Sequence, residues 1–575
     1  MTGRPIPRLL EDLARDRPDD TAYTFVDYAV DPLGVAESLT WEQVHHRARI
    51  VAARLASCGS PGDRAVIVAH QGLDYVVAFL GAIQAGFIAV PLSVPQFGAH
   101  DERVSGALHD CSPVAILTTS AVVDGLLTYA APQPGRPAPV IIEVDVLDFA
   151  SAPTVQPADV RGPKIAYLQY TSGSTRRPSG VMITHENAVA NVHQIHTDFL
   201  DGDAPRLTVV SWLPLFHDLG LVVGLFIPLV TGRPGVLFSP VAFIQKPGRW
   251  IALLASHPET LTAAPNFAFD LAARRTSDEE LAGLDLSNVR TVASGSERIH
   301  ATTLRRFWDR FVPFGLSATA VRPAFGLAEA TVYVVCSLSR RLPTITRFDY
   351  QKLCAGHAEV SGEEGIEMVG LGPPRSCLVR IVDPQTDTEV PADMVGEIWL
   401  HGPNIATGYW RNGTLSDDAF GASLVDAAPG IPVGPWLRTG DLGVMSEGEL
   451  FVVGRIKDLL IVNGRNHYPD DIEVTISEIT GGRVAAISVQ EGQSEQLVVI
   501  AECKRRADEP AAEVAAWRRL RRDVTAAVAT VHNLRLADLV LVLQGSIPIT
   551  TSGKVRRAHC VNRYQQNEFR RLDEA

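Results

Sequence analysis

Up to about residue 335, short runs of β-branched residues alternate with stretches of helical periodicity, and this alternation constrains the fold more than any other feature. DRAVIVAH (63–70) is followed by DYVVAFLGAIQAG (74–86), and PVAILTT (113–119) follows a helix-like stretch. A strand that returns parallel to its neighbour needs a long crossover, and an amphipathic helix supplies one. The pattern predicts an α/β architecture with largely parallel, mixed α/β sheets. Between about 375 and 457 the texture changes. SCLVRIVDP, GEIWLHG and GELFVVGR read as strands separated by Gly and Pro turns, a β-rich subdomain.

A chain of 575 residues exceeds what one hydrophobic core serves, so two or more domains are expected. The reading is a large N-terminal domain, 1–457, and a small C-terminal α+β domain, 458–575, joined at Arg455-Ile456-Lys457-Asp458. In the small domain VAAISVQ, QLVVIAECK and DLVLVLQG read as strands. AAEVAAWRRLRRDVTAAVATV reads as an amphipathic helix with Val514, Trp517, Val524 and Val528 on or near one face.

The formal charge of −13 argues against a general nucleic-acid binder, whose surface is basic. Seven scattered cysteines (58, 111, 336, 354, 377, 503, 560) form no CxxC and suit a reducing cytoplasm, with neither a disulfide framework nor a zinc site. The charged N-terminus lacks the apolar core of a signal peptide. The most apolar run, LGLVVGLFIPLVTG (219–232), is too short to span a bilayer and contains Pro228, so it reads as a buried helix or a pocket wall.

YTSGSTRRPSG (170–180) follows the apolar run IAYLQ. It is either an ordinary strand–turn–helix connection or an anion-binding nest of backbone N–H groups with the Ser172, Ser174 and Thr175 hydroxyls. It lacks the GxxxxGK[ST] pattern and holds no lysine, so a catalytic cation must come from elsewhere. Four more segments follow in order: FGLAEAT (325–331), RTGD (438–441), GRIKD (454–458) and TSGK (551–554). Together, in this spacing, the five resemble the adenylate-forming superfamily of acyl-CoA synthetases, peptide-synthetase adenylation domains and luciferases. WLPLFHDLGL (212–221), APNFAFDL (264–271), GRNHYPDDIE (464–473) and the lysine-free loop narrow the resemblance to fatty acyl-AMP ligases of actinobacterial type, over essentially the whole chain. Ser179 stands where many relatives carry lysine.

That resemblance implies ATP and Mg²⁺ as cofactors, a fatty acid as substrate, and an acyl carrier domain of a polyketide or peptide synthase as partner. A carboxylate must attack the α-phosphorus of ATP, so like charges approach, and fixed donors, a cation and a divalent metal lower the barrier. The implied catalytic residues are Lys554, which bridges the substrate carboxylate and α-phosphate, Glu329, which holds Mg²⁺ as a hard oxygen ligand, and His217 at the gate between nucleotide and acyl sites. The implied nucleotide contacts are Thr171, Ser172, Gly173, Ser174 and Thr175 at the phosphates, Ser294, Gly295 and Ser296 beside adenine, Gly326 and Ala328, and Asp441 with Arg455 at the ribose. Ala328 replaces the threonine common in the wider superfamily, as the AMP-ligase branch does.

Several features read two ways. His217 is a gate or a satisfied core histidine. LGLVVGLFIPLV and FAFDLA line an alkyl tunnel or fill the core. The segment from about 340 to 370 is a surface excursion or resembles the insertion that hampers CoA thioesterification in the AMP-ligase branch. Arg518, Arg519, Arg521 and Arg522 are a solvated helix face or a docking patch for an acidic carrier protein. Rival functions are an acyl-CoA synthetase, amino-acid adenylation with Asp218 as the ammonium partner, and a non-catalytic adenylate or acyl binder.

Overall fold

A computed structural model describes residues 4–95, 101–131, 137–151, 164–170, 178–200, 204, 206–362, 365–462, 465–491, 494–504, 510–550 and 553–572. Two large sheets form the N-terminal part. The first holds six strands in the order Val140–Glu143, Ala115–Thr118, Arg64–Ile67, Ile88–Pro91, Ile165–Tyr170 and Gly180–Thr184, parallel except for the last pair. The second holds eight. Its inner strands Val321–Phe325, Val289–Gly295, Glu259–Pro265, Leu207–Ser211, Gly235–Phe238 and Thr21–Asp27 run parallel, with Val335–Cys336 and Val35–Thr40 antiparallel at its edges. Strands such as Ala115–Thr118 and Gly235–Phe238 are buried along their whole length, as expected where helices cover both faces. The mixed α/β expectation holds, and a large N-terminal domain is followed by a smaller C-terminal one.

The apolar run from 219 to 232 becomes helix Asp218–Leu221, a wide π-type segment Val222–Phe226, and helix Ile227–Thr231. Gly220 is required near its start, since a Cβ there would lie 2.0 Å from the Pro214 carbonyl oxygen. The stretch is both buried and a pocket wall. FAFDLA, in helix Asn266–Arg275, is not among the walls of that pocket; Ala268, Phe269 and Ala272 are core.

A five-stranded antiparallel sheet spans Leu378 to Arg455. Beside it strands Ile345–Phe348 and Ile366–Val369 pair, with helix Tyr350–Cys354 between them in sequence. The C-terminal part packs helices Pro469–Thr480, Pro510–His532 and Arg557–Gln565 on a three-stranded sheet with its own core. Trp517, Val524 and Val528 enter that core; the side chain of Val514 lies outside the described residues.

Candidate active site

Three loops at the carboxyl ends of parallel strands meet helices and turns from both domains, the usual place for a ligand in an α/β sheet. The loop after Leu207–Ser211 carries His217. Gln71 Oε1 accepts from Leu215 N (3.3 Å), Gln169 Nε2 donates to the Phe216 carbonyl (2.9 Å), and Ser211 Oγ accepts from Leu213 N (3.3 Å). Thus anchored, His217 caps a short helix, and its Nδ1 lies 2.5 Å from Asp218 Oδ1. Burial pushes the Asp218 carboxyl up, but His217, the Leu219 N–H and Lys554 outweigh it and hold it below the ordinary range.

The strand Val289–Gly295 ends in Ser294, Gly295 and Ser296. Ser294 is fully buried, its Oγ without a hydrogen-bond partner, and Ser296 takes a φ of 65° that is uncommon outside glycine. Glu297 accepts from Phe267 N at 2.6 Å, and burial raises its carboxyl. Arg298 reaches across to the C-terminal domain, with Nη2 2.5 Å from Asp471 Oδ1.

Glu329 sits on a single helical turn, Ala328–Ala330, after strand Val321–Phe325 and Gly326, which follows it. A Cβ on Gly326 would lie 1.6 Å from the Val332 carbonyl oxygen, so the chain passes itself at backbone distance there. Tyr409 donates its hydroxyl to Glu329 Oε1 (2.8 Å); burial nonetheless raises the glutamate above its usual range. Among the described residues no three His, Cys, Asp or Glu side chains gather as a self-sufficient metal site. One buried hard-oxygen donor fits a small divalent cation that takes its remaining ligands from phosphates and water.

Asp441 lies in strand Leu437–Ser446, whose start is anchored by Arg438 Nε on Glu397 Oε2 (3.1 Å) and Gly440 N on Glu397 Oε1 (2.9 Å), with Gly440 at a φ of 69°. Arg455 Nε stands 2.8 Å from Asp441 Oδ1. Burial holds the Asp441 carboxyl above its ordinary range against Arg455, Lys554 and Lys457.

Lys554 comes from the far end of the chain. Thr550 N donates to the Lys554 carbonyl (2.8 Å), Lys554 N donates to Thr550 Oγ1 (3.0 Å), and Gly553 turns at a φ of 88°. This tight turn presents the lysine to the N-terminal domain, where Asp218, Glu297 and Asp441 favour its charged form. Burial and Arg455 still push its pKa below the usual lysine value.

The structure thus brings His217, Ser294, Gly295, Ser296, Gly326, Ala328, Glu329, Asp441, Arg455 and Lys554 toward one centre. Thr171, Ser172, Gly173, Ser174 and Thr175 lie outside the described residues, as do Thr551 and Ser552. Beside the centre opens an apolar pocket whose walls include Leu219, Val223 and Ile227, with Asp218, Gly295 and Gly326 where it meets the charged cluster. Sequence reasoning missed Tyr409, the His217–Asp218 pair and the Arg298–Asp471 contact, and it reached Glu297 only as part of the Ser294-Gly295-Ser296-Glu297-Arg298 segment that resembles the adenine-side motif. Only the adjacency of His217 and Asp218 left a trace in the linear order.

The remaining ambiguous features also resolve. Tyr350, from the 340–370 segment, bonds His467 Nδ1 of the C-terminal domain at 2.9 Å, and its ring meets His532 edge-on at 4.8 Å. The segment is therefore an interdomain contact rather than a free excursion; Glu363 and Glu364 within it lie outside the described residues. Of the four arginines, Arg518, Arg519 and Arg522 are exposed, whereas Arg521 donates to the Leu539 carbonyl (2.5 Å). No helix among the described residues is long and apolar enough to cross a membrane.

Residues 10–410 match the family model described as AMP-binding enzyme, and residues 457–574 match that of the AMP domain of Disco-interacting protein 2-like proteins. The long-chain-fatty-acid–AMP ligase FadD26 of Mycobacterium marinum is 57% identical over 100% of this chain and 99% of its own length. A 4-hydroxyphenylalkanoate adenylyltransferase of Mycobacterium tuberculosis is 52% identical over 100% of this chain and 94% of its own. Among solved structures, a fatty acyl-adenylate ligase of L. pneumophila in complex with acyl adenylate and pyrophosphate superposes with a TM-score of 0.74. It is 31% identical, over 98% of this chain and 96% of that one.

Proposed function

Because the chain belongs to the AMP-binding enzyme family, and its relatives include fatty-acid–AMP ligases, we propose that it joins a fatty acid to AMP, releasing pyrophosphate. One observation carries the reading: an apolar pocket opens directly onto a cationic and carboxylate cluster to which the C-terminal domain contributes a lysine.

In this reaction one carboxylate oxygen of the substrate attacks the α-phosphorus, and pyrophosphate leaves with the bonding pair. Lys554 holds both the entering carboxylate and the α-phosphate, relieving their repulsion as charge develops. Asp218, Glu297 and Asp441 favour its charged form against burial and Arg455. Asp441 accepts the ribose hydroxyls, with Arg455 fixing its orientation. Ser294, Gly295 and Ser296 border adenine, and Gly326 and Ala328 let the nucleotide approach the backbone closely. His217 closes the passage between nucleotide and acyl group, its ring oriented by Asp218. Glu329 is the residue to hold Mg²⁺, which supplies charge neutralisation at the phosphates. Thr171 to Thr175, which lie outside the described residues, are the residues we assign to the phosphates.

The division at 457/458 makes the C-terminal domain the moving part, turning about Asp458 after adenylation to expose the acyl-AMP to a carrier thiol. Tyr350 on His467 restrains that turn and disfavours CoA. The exposed Arg518, Arg519 and Arg522 offer an acidic carrier protein complementary charge. Charge reversal of these three is expected to slow transfer to the carrier and spare adenylation; an unchanged transfer rate rejects the patch. Amino-acid activation is disfavoured because Asp218 is already paired. Mass spectrometry of products from fatty acids and ATP, with and without CoA, tests the whole. Acyl-AMP is expected in both, and abundant acyl-CoA makes the protein a CoA synthetase instead.

A further inference from the structure

Asp441 owes its place to a break in the five-stranded sheet. Strand Gly396–His401 pairs with strand Leu437–Ser446 through Glu397 on Leu442 and Trp399 on Arg438. Thr439, Gly440 and Asp441 therefore stand opposite the single residue Ile398, and they bulge out of that ladder. On its other side Asp441 stays paired with Arg455 of strand Glu449–Arg455. A bulge robs its backbone donors of their ladder partners, and in a protein interior each needs another acceptor.

Glu397 supplies one. Its side chain is only 3% exposed, and Oε1 accepts from Gly440 N at 2.9 Å. Oε2 accepts from Trp399 Nε1 (2.9 Å) and from Arg438 at Nε (3.1 Å) and Nη2 (3.0 Å). The Arg438 guanidinium also lies 5.3 Å from the Trp399 ring centre. One oxygen is thus held by the indole and the guanidinium, and the other is aimed at the bulge. Thr439 ties down the rest: its hydroxyl donates to the Ile398 carbonyl (2.7 Å) and accepts from Asp441 N (3.0 Å). An amide in place of the Glu397 carboxylate would set an NH2 group against either Gly440 N–H or the donors on the other side.

We propose that Glu397 is a positioning residue for the nucleotide: it fixes the bulge that aims Asp441, and so sets the preference for a ribonucleotide over a deoxyribonucleotide. It acts through Asp441 and touches no substrate. The inference rests on the reading of Asp441 as the acceptor of the ribose hydroxyls. Selection for a hydroxyl is strong only where the acceptor is held in place, because an analogue lacking that hydroxyl then leaves a buried carboxylate unpaired. Once the bulge slackens, ATP loses its contact and a deoxy analogue has little left to lose.

The test is kcat and KM for acyl-AMP formation with ATP, 2′-deoxy-ATP and 3′-deoxy-ATP, for the wild type, Asp441→Asn, Glu397→Gln and Glu397→Asp. The wild type is expected to favour ATP over at least one deoxy analogue by about tenfold or more in kcat/KM. In Glu397→Gln the KM for ATP should rise about tenfold, the KM for fatty acid should stay within about twofold, and the preference for ATP should shrink to about threefold or less. Glu397→Asp keeps its charge beside Arg438 but, one methylene shorter, cannot also reach Gly440 N; it should lose the preference too, and it decides alone if Glu397→Gln does not fold. A merely structural role would slow all three nucleotides in proportion. A folded Glu397 variant that keeps the wild-type preference, where Asp441→Asn loses it, overturns the proposal alone. No preference in the wild type, or one that survives Asp441→Asn, overturns the ribose reading of Asp441 and this inference with it.

Discussion

Lys554 and Glu329 carry opposite charges in the same buried space, and the environment shifts both toward their neutral forms. Removing the lysine takes away a charge-assisted contact made to the developing transition state. Lys554→Ala should therefore lower the rate of pyrophosphate release by roughly two to three orders of magnitude, with nucleotide affinity much less affected. Glu329 can hold Mg²⁺ only as carboxylate. Burial raises its pKa and the Tyr409 hydroxyl lowers it, so Tyr409→Phe should move the acid limb of the rate–pH profile upward. Rate profiles between about pH 5 and 8 at fixed Mg²⁺ read this directly. The identities of Lys554, Glu329 and Asp441 were legible because each sits inside a short ordered motif. Their partners were not. Tyr409 is 80 positions from Glu329, and no local pattern marks it.

At the scale of elements, one helix of the C-terminal domain decides how that domain docks. Helix Pro469–Thr480 presents Asp471 to Arg298, while Asp470 and Glu473 pair with Arg557, at 2.5 and 2.6 Å. Burial, outweighing the arginines, lifts Asp471 to about 6 and Glu473 to about 7. In an unfolded chain such carboxyls titrate at about 4. Between roughly pH 4 and 7 the folded state thus holds more of their protons than the unfolded state, and their contribution to stability falls as pH rises. Melting temperatures across that range should decline less steeply in Asp471→Asn than in the wild type. A second element-level expectation concerns the turn before Glu329. Gly326→Ala forces a methyl onto the Val332 carbonyl and should cost roughly 3 kcal/mol, read from denaturant midpoints. Element types were readable throughout, as period-2 runs and helical spacing. The π-type widening at Val222–Phe226 was not, because no local pattern in that apolar run marks it.

At the scale of the molecule, the centre is shared between two domains, so whatever fills it also ties them together. A non-reactive acyl-adenylate analogue at about 100 times its Kd should stabilise the fold by about 2.7 kcal/mol. It should also protect the residues around Arg455–Asp458 from proteolysis; equal cleavage with and without the analogue would contradict the shared site. Tyr350→Ala frees the C-terminal domain from one anchor, and a rise in acyl-CoA formed alongside acyl-AMP is the expected result. The two-domain plan was visible in the sequence as a change of texture near 457. The face on which the small domain rests was not, since Arg298, Tyr350 and Asp471 are ordinary polar residues in the linear order.

The sequence alone determined the alternation that builds parallel sheets, the motifs that supply a lysine, a glutamate and an aspartate, and the family to which they belong. These are local properties, carried by periodicity and short spacing. The tertiary structure alone decided which residues face one another: that Asp218 meets both His217 and Lys554, and that the 219–232 run lines the pocket while FAFDLA fills the core. Contact between residues far apart in sequence depends on how sheets and helices pack, and that is settled by the sum of the buried surfaces.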